Sequence, residues 1–283
     1  MRRQRVVKVM MLKPALWGTA KGHILQRVLI TVLALALPTR ASTLVAVWTP
    51  ETLVLAADGR LTLTDSNGEV LDKSGVACKL RIENGVLYGA SGLYEWKATG
   101  FSLPDVLNKG LRMAMGVNRR SLPLEDVASR AMSDIAIALK DAKQGVGESI
   151  AKNPNFNFGE LILAGIDGDS LKVVLSRIDI SVSQEGSIFS SGSRVKYILG
   201  QSVLPGPEPH KSLMAVAIGQ QDAILAYQSS HPDWIKEDPI KLTRMFIGLE
   251  IVAQPNSVGP PIALLVLSKD GSTRWLEKGA CTE

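Results

Sequence analysis

The chain has 283 residues, enough to bury a substantial core, and its 46% hydrophobic and 21% charged fractions exclude a disordered or fibrous protein. The net charge of +5 is uneven: residues 1–41 hold eight Lys or Arg and no Asp or Glu, which leaves 24 basic against 27 acidic residues in the rest. The basic balance belongs to the leading segment, and a mildly acidic body gives no reason to expect a nucleic-acid partner.

The leading segment reads as an export signal. Basic residues as far as Arg27 precede the apolar run 28–37, and Pro38 breaks it. Thr39-Arg40-Ala41 then puts small residues three and one before a cut after Ala41. The run is ten residues long, well short of the roughly 20 that span a bilayer as a helix. A cleaved signal over 1–41 is expected, with a periplasmic or secreted product and a membrane link only through an uncleaved leader. A buried core helix or a short anchor is the competing reading of the run. The basic stretch is long for a signal, so Met10 or Met11 is an alternative start.

Residues 42–48 are apolar on both faces, as in a strand buried between two layers. Thr49-Pro50-Glu51 turns the chain into a second apolar strand over 53–57, ending at Asp58. Residues 62–74 are polar around the turn signal Asp65-Ser66-Asn67-Gly68. A hairpin follows, with 79–82 and 86–88 joined by Glu83-Asn84-Gly85. Two helices are predicted next. One covers about 93–115 with an interruption at Pro104. The other starts near Ser121 with Pro123 in its first turn, and puts Val127, Ala131, Ile135 and Leu139 on one face.

Residues 140–157 read as a loop. Strands return at 161–166 and 171–175 around Asp167-Gly168-Asp169, and 214–218 fits strand or helix. Asp238-Pro239 opens a helix with Ile240, Thr243, Ile247 and Ile251 on one face. The last predicted strand is 262–267, turning at Lys269-Asp270-Gly271. There is no internal repeat or linker. The order suits one domain over 42–283, two sheets faced by helices.

Once exported, Cys78 and Cys281 could pair, and two buried thiols fit equally well. His23 lies in the leader, and His210 and His231 sit in polar, Pro-bearing loops without ligand spacing. No metal site is expected, and no cofactor.

The chemistry-bearing pattern begins at Ser42-Thr43-Leu44-Val45-Ala46-Val47 and continues in Leu55-Ala56-Ala57-Asp58-Gly59-Arg60, with Asp58 16 residues after Ser42. Val76-Ala77-Cys78-Lys79-Leu80, Gly89-Ala90-Ser91-Gly92 and Ile188-Phe189-Ser190-Ser191-Gly192-Ser193 follow in order. The pattern resembles the mature start of proteasome β-type subunits, in the N-terminal-nucleophile (Ntn) hydrolase superfamily, and is most similar to the bacterial proteasome-like peptidases. The resemblance is densest over 42–92, thinner over 161–197 and thinnest between them.

The resemblance implies an α+β fold, a four-layer αββα sandwich of two antiparallel sheets flanked by helices. It also implies roles. Ser42 stands where the family's nucleophile, usually Thr, begins the mature chain. Asp58 supports Lys79, the amide of Gly92 belongs to the oxyanion hole, and Ser193 lies near the nucleophile's amine. Ser257, in Ala253-Gln254-Pro255-Asn256-Ser257-Val258-Gly259, matches a Ser that helps hold that amine. The chain departs from the family at Leu93, where a second Gly is usual, at Arg194, where a small residue is usual, and at Gln254, where the family has Asp. The loop before Lys79 is also about five residues longer.

The same residues make a physical case. A serine hydroxyl needs a base within hydrogen-bond reach, and no Ser-His-Asp set is legible here. An N-terminal residue carries its own base, since a free α-amine titrates at roughly 7.7–8.0. A nearby Lys79 ammonium would keep that amine neutral, and a buried Lys79 needs the carboxylate that Asp58 supplies. The N–H of Gly92 could meet the oxyanion. A cut after Ala41 would make Ser42 the first residue, so the cleavage pattern and the spacing to Asp58 converge on one position.

The expected protein is an exported peptidase or amidase acting through an acyl-enzyme on Ser42. Short peptides or small amides are the expected partners, because export separates it from the ATP-driven unfoldases that serve cytoplasmic relatives. A homo-oligomer stays open. The rival expectation is an Ntn-fold subunit without catalysis, which Gln254 and Leu93 favour.

Overall fold

The computed structural model describes residues 42–64, 70–92, 95–96, 101–115, 123–141, 159–182, 188–199 and 213–282. An uninterrupted apolar stretch forms β1 (Thr43–Trp48), buried at every position. The Thr49 hydroxyl accepts from the N–H of Thr52 at 3.1 Å and helps close the turn. It leads into β2 (Thr52–Asp58), which returns antiparallel with Leu44 opposite Ala57. A ribbon of β3 (Arg60–Thr64) and β4 (Val70–Val76) follows. Next come β5 (Leu80–Glu83) and β6 (Val86–Gly92), whose turn places Asn84 and Gly85 at φ 49° and 73°. Those left-handed angles are the ones a two-residue Asn-Gly hairpin requires.

After the short ribbon of β7 (Glu95–Trp96) and β8 (Phe101–Ser102) come two helices, α1 (Leu103–Met115) and α2 (Leu124–Asp141). Three strands succeed them: β9 (Gly159–Asp167), β10 (Ser170–Val182) and β11 (Ile188–Leu199). The chain then forms β12 (Met214–Gly219), α3 (Asp222–Ser230), a 3₁₀ turn over Pro232–Lys236 and α4 (Pro239–Ala253). It closes with β13 (Ile262–Ser268) and β14 (Thr273–Glu277).

These strands make a mixed α/β fold with two antiparallel five-stranded sheets, ordered β12-β1-β2-β13-β14 and β11-β10-β9-β6-β5. Period-two alternation divides β1, β2, β6, β9, β10, β12 and β13 each between two apolar clusters. Leu44, Ala46, Trp48, Leu53 and Leu55 of the first sheet pack with Leu80, Leu87, Ile162 and Val173 of the second. The other face of the second sheet, through Tyr88, Leu161, Leu163 and Val174, packs on Leu107, Leu111, Ala131 and Ile135 of α1 and α2. The other face of the first sheet, through Val45, Val47, Val54 and Val266, packs on Ile224, Leu242, Phe246 and Ile247 of α3 and α4.

The structure corrects several sequence expectations. The first helix begins at Leu103, not near residue 93, so Pro104 lies in its first turn rather than interrupting it. At that position proline's missing N–H leaves no helix bond unmade. Part of the polar stretch 62–74 belongs to the β3–β4 ribbon. The ambiguous run 214–218 is a strand, at the sheet edge beside β1. α3 was not predicted, and β14 follows the strand expected to be last. Val127, Ala131 and Ile135 are buried as expected, while the Leu139 side chain lies outside the described residues. So do the predicted leader 1–41 and residues 142–157 of the predicted loop. Cys78 and Cys281 form a disulfide.

Candidate active site

The β1–β2 pairing carries Asp58, at the end of β2, back to the start of β1. Asp58 is fully buried, and four donors converge on its carboxylate. Oδ1 accepts from the N–H of Thr43 at 2.8 Å and from Nζ of Lys79 at 2.9 Å. Oδ2 accepts from the N–H of Arg60 at 3.1 Å and of Gly259 at 3.3 Å. Both carboxylate oxygens are thereby hydrogen-bonded within the protein. Gly59 is required beside it, because a Cβ there would lie 2.4 Å from the Pro261 carbonyl oxygen.

Lys79 is buried just before β5. The segment that holds it is fixed by the bond from Ala77 N–H to the Gly59 carbonyl, 2.8 Å, and by the disulfide at Cys78. Burial pushes the Lys79 ammonium below its ordinary value. Asp58 opposes that shift by charge and hydrogen bond, and the Arg60 charge adds to it. Among the described residues no hydrogen bond joins Lys79 to the Ser42 hydroxyl. Beside Lys79 a small recess, with room for about one water, is lined by Cys78, Arg81, Tyr88, Ala90, Pro104 and Leu107.

Ser42 lies immediately before β1 and is buried. Its carbonyl accepts from the N–H of Gln220 at 2.8 Å, and the Thr43 hydroxyl donates to the Gln220 carbonyl at 2.9 Å. Gly219, at φ 76°, admits this close approach: a Cβ there would fall 2.0 Å from the Ser42 carbonyl oxygen. Ser42 itself has φ 138°, a region that residues with a Cβ rarely occupy.

Gly92 ends β6, exposed, at φ 110° and opposite Gly159. Its neighbour Ser91 is buried, with its Cβ close to Gly219. The structure therefore gathers Ser42, Asp58, Lys79 and the end of β6 in one region. Ser257 joins it through its loop, since Gly259, two residues on, donates to Asp58. The Ser257 hydroxyl itself donates to the Gln254 carbonyl at the end of α4, at 3.4 Å. Ser193 lies on β11 opposite Ile178, with β10 and β9 between that strand and β6. Its side chain is outside the described residues, as are Leu93 and the side chain of Arg194.

Sequence reasoning missed three participants. Gln220 binds Ser42 through its main chain and Gly219 packs on the Ser42 carbonyl, which leaves only the Gly at the end of an apolar run as a signal. Glu160 is buried at the start of β9, and its Oε2 accepts from the N–H of Gly219 at 3.2 Å. A charged residue at the head of an apolar strand was the available clue. Among the described residues no group of three or more His, Cys, Asp or Glu is placed to hold a metal ion.

No family model matches the chain, and no curated protein matches it. Among solved structures, a Gly-1 mutant of Anbu from Hyphomicrobium sp. strain MC1 overlays with a TM-score of 0.49 at 17% identity, covering 86% of this chain and 89% of that one. The likeness is loose and assigns no role to any residue.

Proposed function

We propose that residues 42–283 are an Ntn hydrolase with a four-layer αββα sandwich, exported with cleavage after Ala41, that cuts peptide or amide bonds through an acyl-enzyme on Ser42. The observation that carries this reading is the Asp58 carboxylate, whose Oδ1 receives both the N–H of Thr43 and the ammonium of Lys79. That arrangement fixes a buried cation beside the residue that a cut after Ala41 would make the first. The three apolar clusters, in the order helices, sheet, sheet, helices, support the fold.

Two further observations support processing and export. The φ torsion of Ser42 is defined by the Ala41 carbonyl, so cutting that bond removes the constraint and its strain of about 1–3 kcal/mol. The Cys78–Cys281 disulfide suits an oxidising compartment.

In the proposed reaction the Ser42 hydroxyl attacks the substrate carbonyl while the freed α-amine takes its proton. The Gly92 N–H stabilises the oxyanion. The ammonium then protonates the leaving amine, leaving an ester on Ser42 that water hydrolyses. A catalytically silent subunit is the second reading, favoured by the Ser257 hydroxyl being turned to the Gln254 carbonyl.

The test is the exported full chain, sequenced at its N-terminus and treated with an acylating β-lactone. A start at Ser42 with the label on that residue, lost in Ser42→Ala, is the expected result. A retained leader, or a mature protein that takes no label, overturns the hydrolase reading.

A further inference from the structure

The inner face of the second sheet changes character where it meets Ser42. One row of facing residues, Gly89, Ile162 and Leu175, belongs to a close-packed interior. Two residues along, the row reads Ser91, Glu160 and Arg177. This polar row borders the buried core that lies between the sheets. Ser91 and Glu160 are both more than nine-tenths removed from solvent. Glu160 also reaches across to the other sheet, taking the N–H of Gly219, the residue paired with Thr43 and packed on the Ser42 carbonyl.

Among the described residues the Glu160 carboxylate accepts one peptide N–H, and Arg177 faces it across the β9–β10 pairing. A cut after Ala41 would create a new cation at Ser42, whose carbonyl packs on Gly219, the residue that Glu160 holds. The position where the resemblance calls for an amine-holding Asp is Gln254, which has no charge and caps the end of α4. We infer that Glu160 is the positioning residue for the N-terminal amine of processed Ser42, supplying from β9 the carboxylate that Gln254 lacks. The inference rests on the hydrolase reading above.

Other charges bear on the same amine. Arg177 faces Glu160 from β10, and the Asp58–Lys79 pair lies on the far side of Thr43. All three stay constant when Glu160 alone is changed. A carboxylate beside the amine favours its protonated form. Removing it should let the amine turn neutral at lower pH and orient less well.

The experiment compares β-lactone acylation of Ser42 against pH in exported wild-type protein, Glu160→Gln and Glu160→Asp. For Glu160→Gln the acid limb is expected to move down by about one pH unit, with the plateau rate falling on the order of tenfold. Glu160→Asp should lie between. An NMR titration of the N-terminal amine after ¹³C reductive dimethylation should show the same downward shift. Titration curves that coincide in wild type and Glu160→Gln overturn the role of Glu160. If Glu160→Gln does not fold, the limb of Glu160→Asp decides: a shift supports the role, and none removes it. Failure of the hydrolase reading itself is distinct, because wild-type protein would then lack either the Ser42 terminus or the label.

Discussion

Lys79 donates to Oδ1 of Asp58 across 2.9 Å, with side-chain exposures of 2% and 0%. The two partners differ in how much else supports them. Asp58 keeps three main-chain donors if the ammonium is removed, whereas Lys79 has no other hydrogen bond among the described residues to replace its carboxylate. Asp58→Asn should therefore destabilise by roughly 3–5 kcal/mol, the usual cost of stranding a buried charge, and Lys79→Met by less. Urea unfolding of both variants gives the order. Activity should be lost in both, since neither leaves the pair intact.

Gly219 is predicted to be intolerant of any side chain. An alanine there must displace the Ser42 carbonyl and also adopt φ 76°. Gly219→Ala should cost about 1–3 kcal/mol and lower acylation more than stability. Acylation rates measured well below the melting temperature separate the two effects. An unchanged acylation rate would show that Ser42 does not depend on this contact.

Glu250 of α4 is wholly buried and accepts from the N–H of Ile224, in the first turn of α3, at 3.0 Å. It does the work of a cap, because Gln221, at the head of α3, makes no side-chain cap. Burial pushes its carboxyl above the usual value of 4.5, more than the hydrogen bonds from Ile224 and Ala223 pull it down. The folded state thus binds more protons than the unfolded state between 4.5 and the raised value. The stability it adds is present below that window and lost as pH rises through it. Glu250→Gln should therefore gain stability relative to wild type as pH rises across the window, then hold a constant advantage above it. Denaturation series on both proteins from about pH 4 to 8 test this, and a flat difference would contradict it.

The Cys78–Cys281 bridge spans 203 residues. By the chain-entropy account, closing so long a loop in the unfolded state stabilises the fold by about 5 kcal/mol. Cys281→Ser should lose most of that. It should also slow acylation, because Cys78 directly precedes Lys79. Adding reductant to the wild type should reproduce both changes.

The strands expected over 42–48, 53–57 and 161–166 were legible because apolar runs leave one plausible burial, and the structure extends the last by Gly159, Glu160 and Asp167. Asp58 was legible through its spacing from Ser42, Lys79 only through the resemblance of Val76-Ala77-Cys78-Lys79-Leu80 to the family's strand, and the structure joins them. α3 was not legible: its short sequence Asp-Ala-Ile-Leu-Ala-Tyr-Gln-Ser-Ser has a single fully buried residue, Ile224, and lacks a side-chain cap of its own. Its support comes from Glu250, 26 residues away. Glu160 was missed for the same reason. Its meaning lies in a sheet-to-sheet contact with Gly219, and no local pattern encodes a partner 59 residues distant.

The Asp58 clamp closes on the N–H of Thr43, not on that of Ser42. Its donors are therefore all in place while Ala41 is still attached, and assembly of the pocket needs no free chain end. On the proposed cleavage after Ala41, folding and activation would be separate events. On the proposed chemistry and export, the polypeptide would be harmless in the compartment where it is made, since its base would not exist until the leader was cut. The cell would need no inhibitor to guard its own cytoplasm, because crossing the membrane would itself be the safety catch.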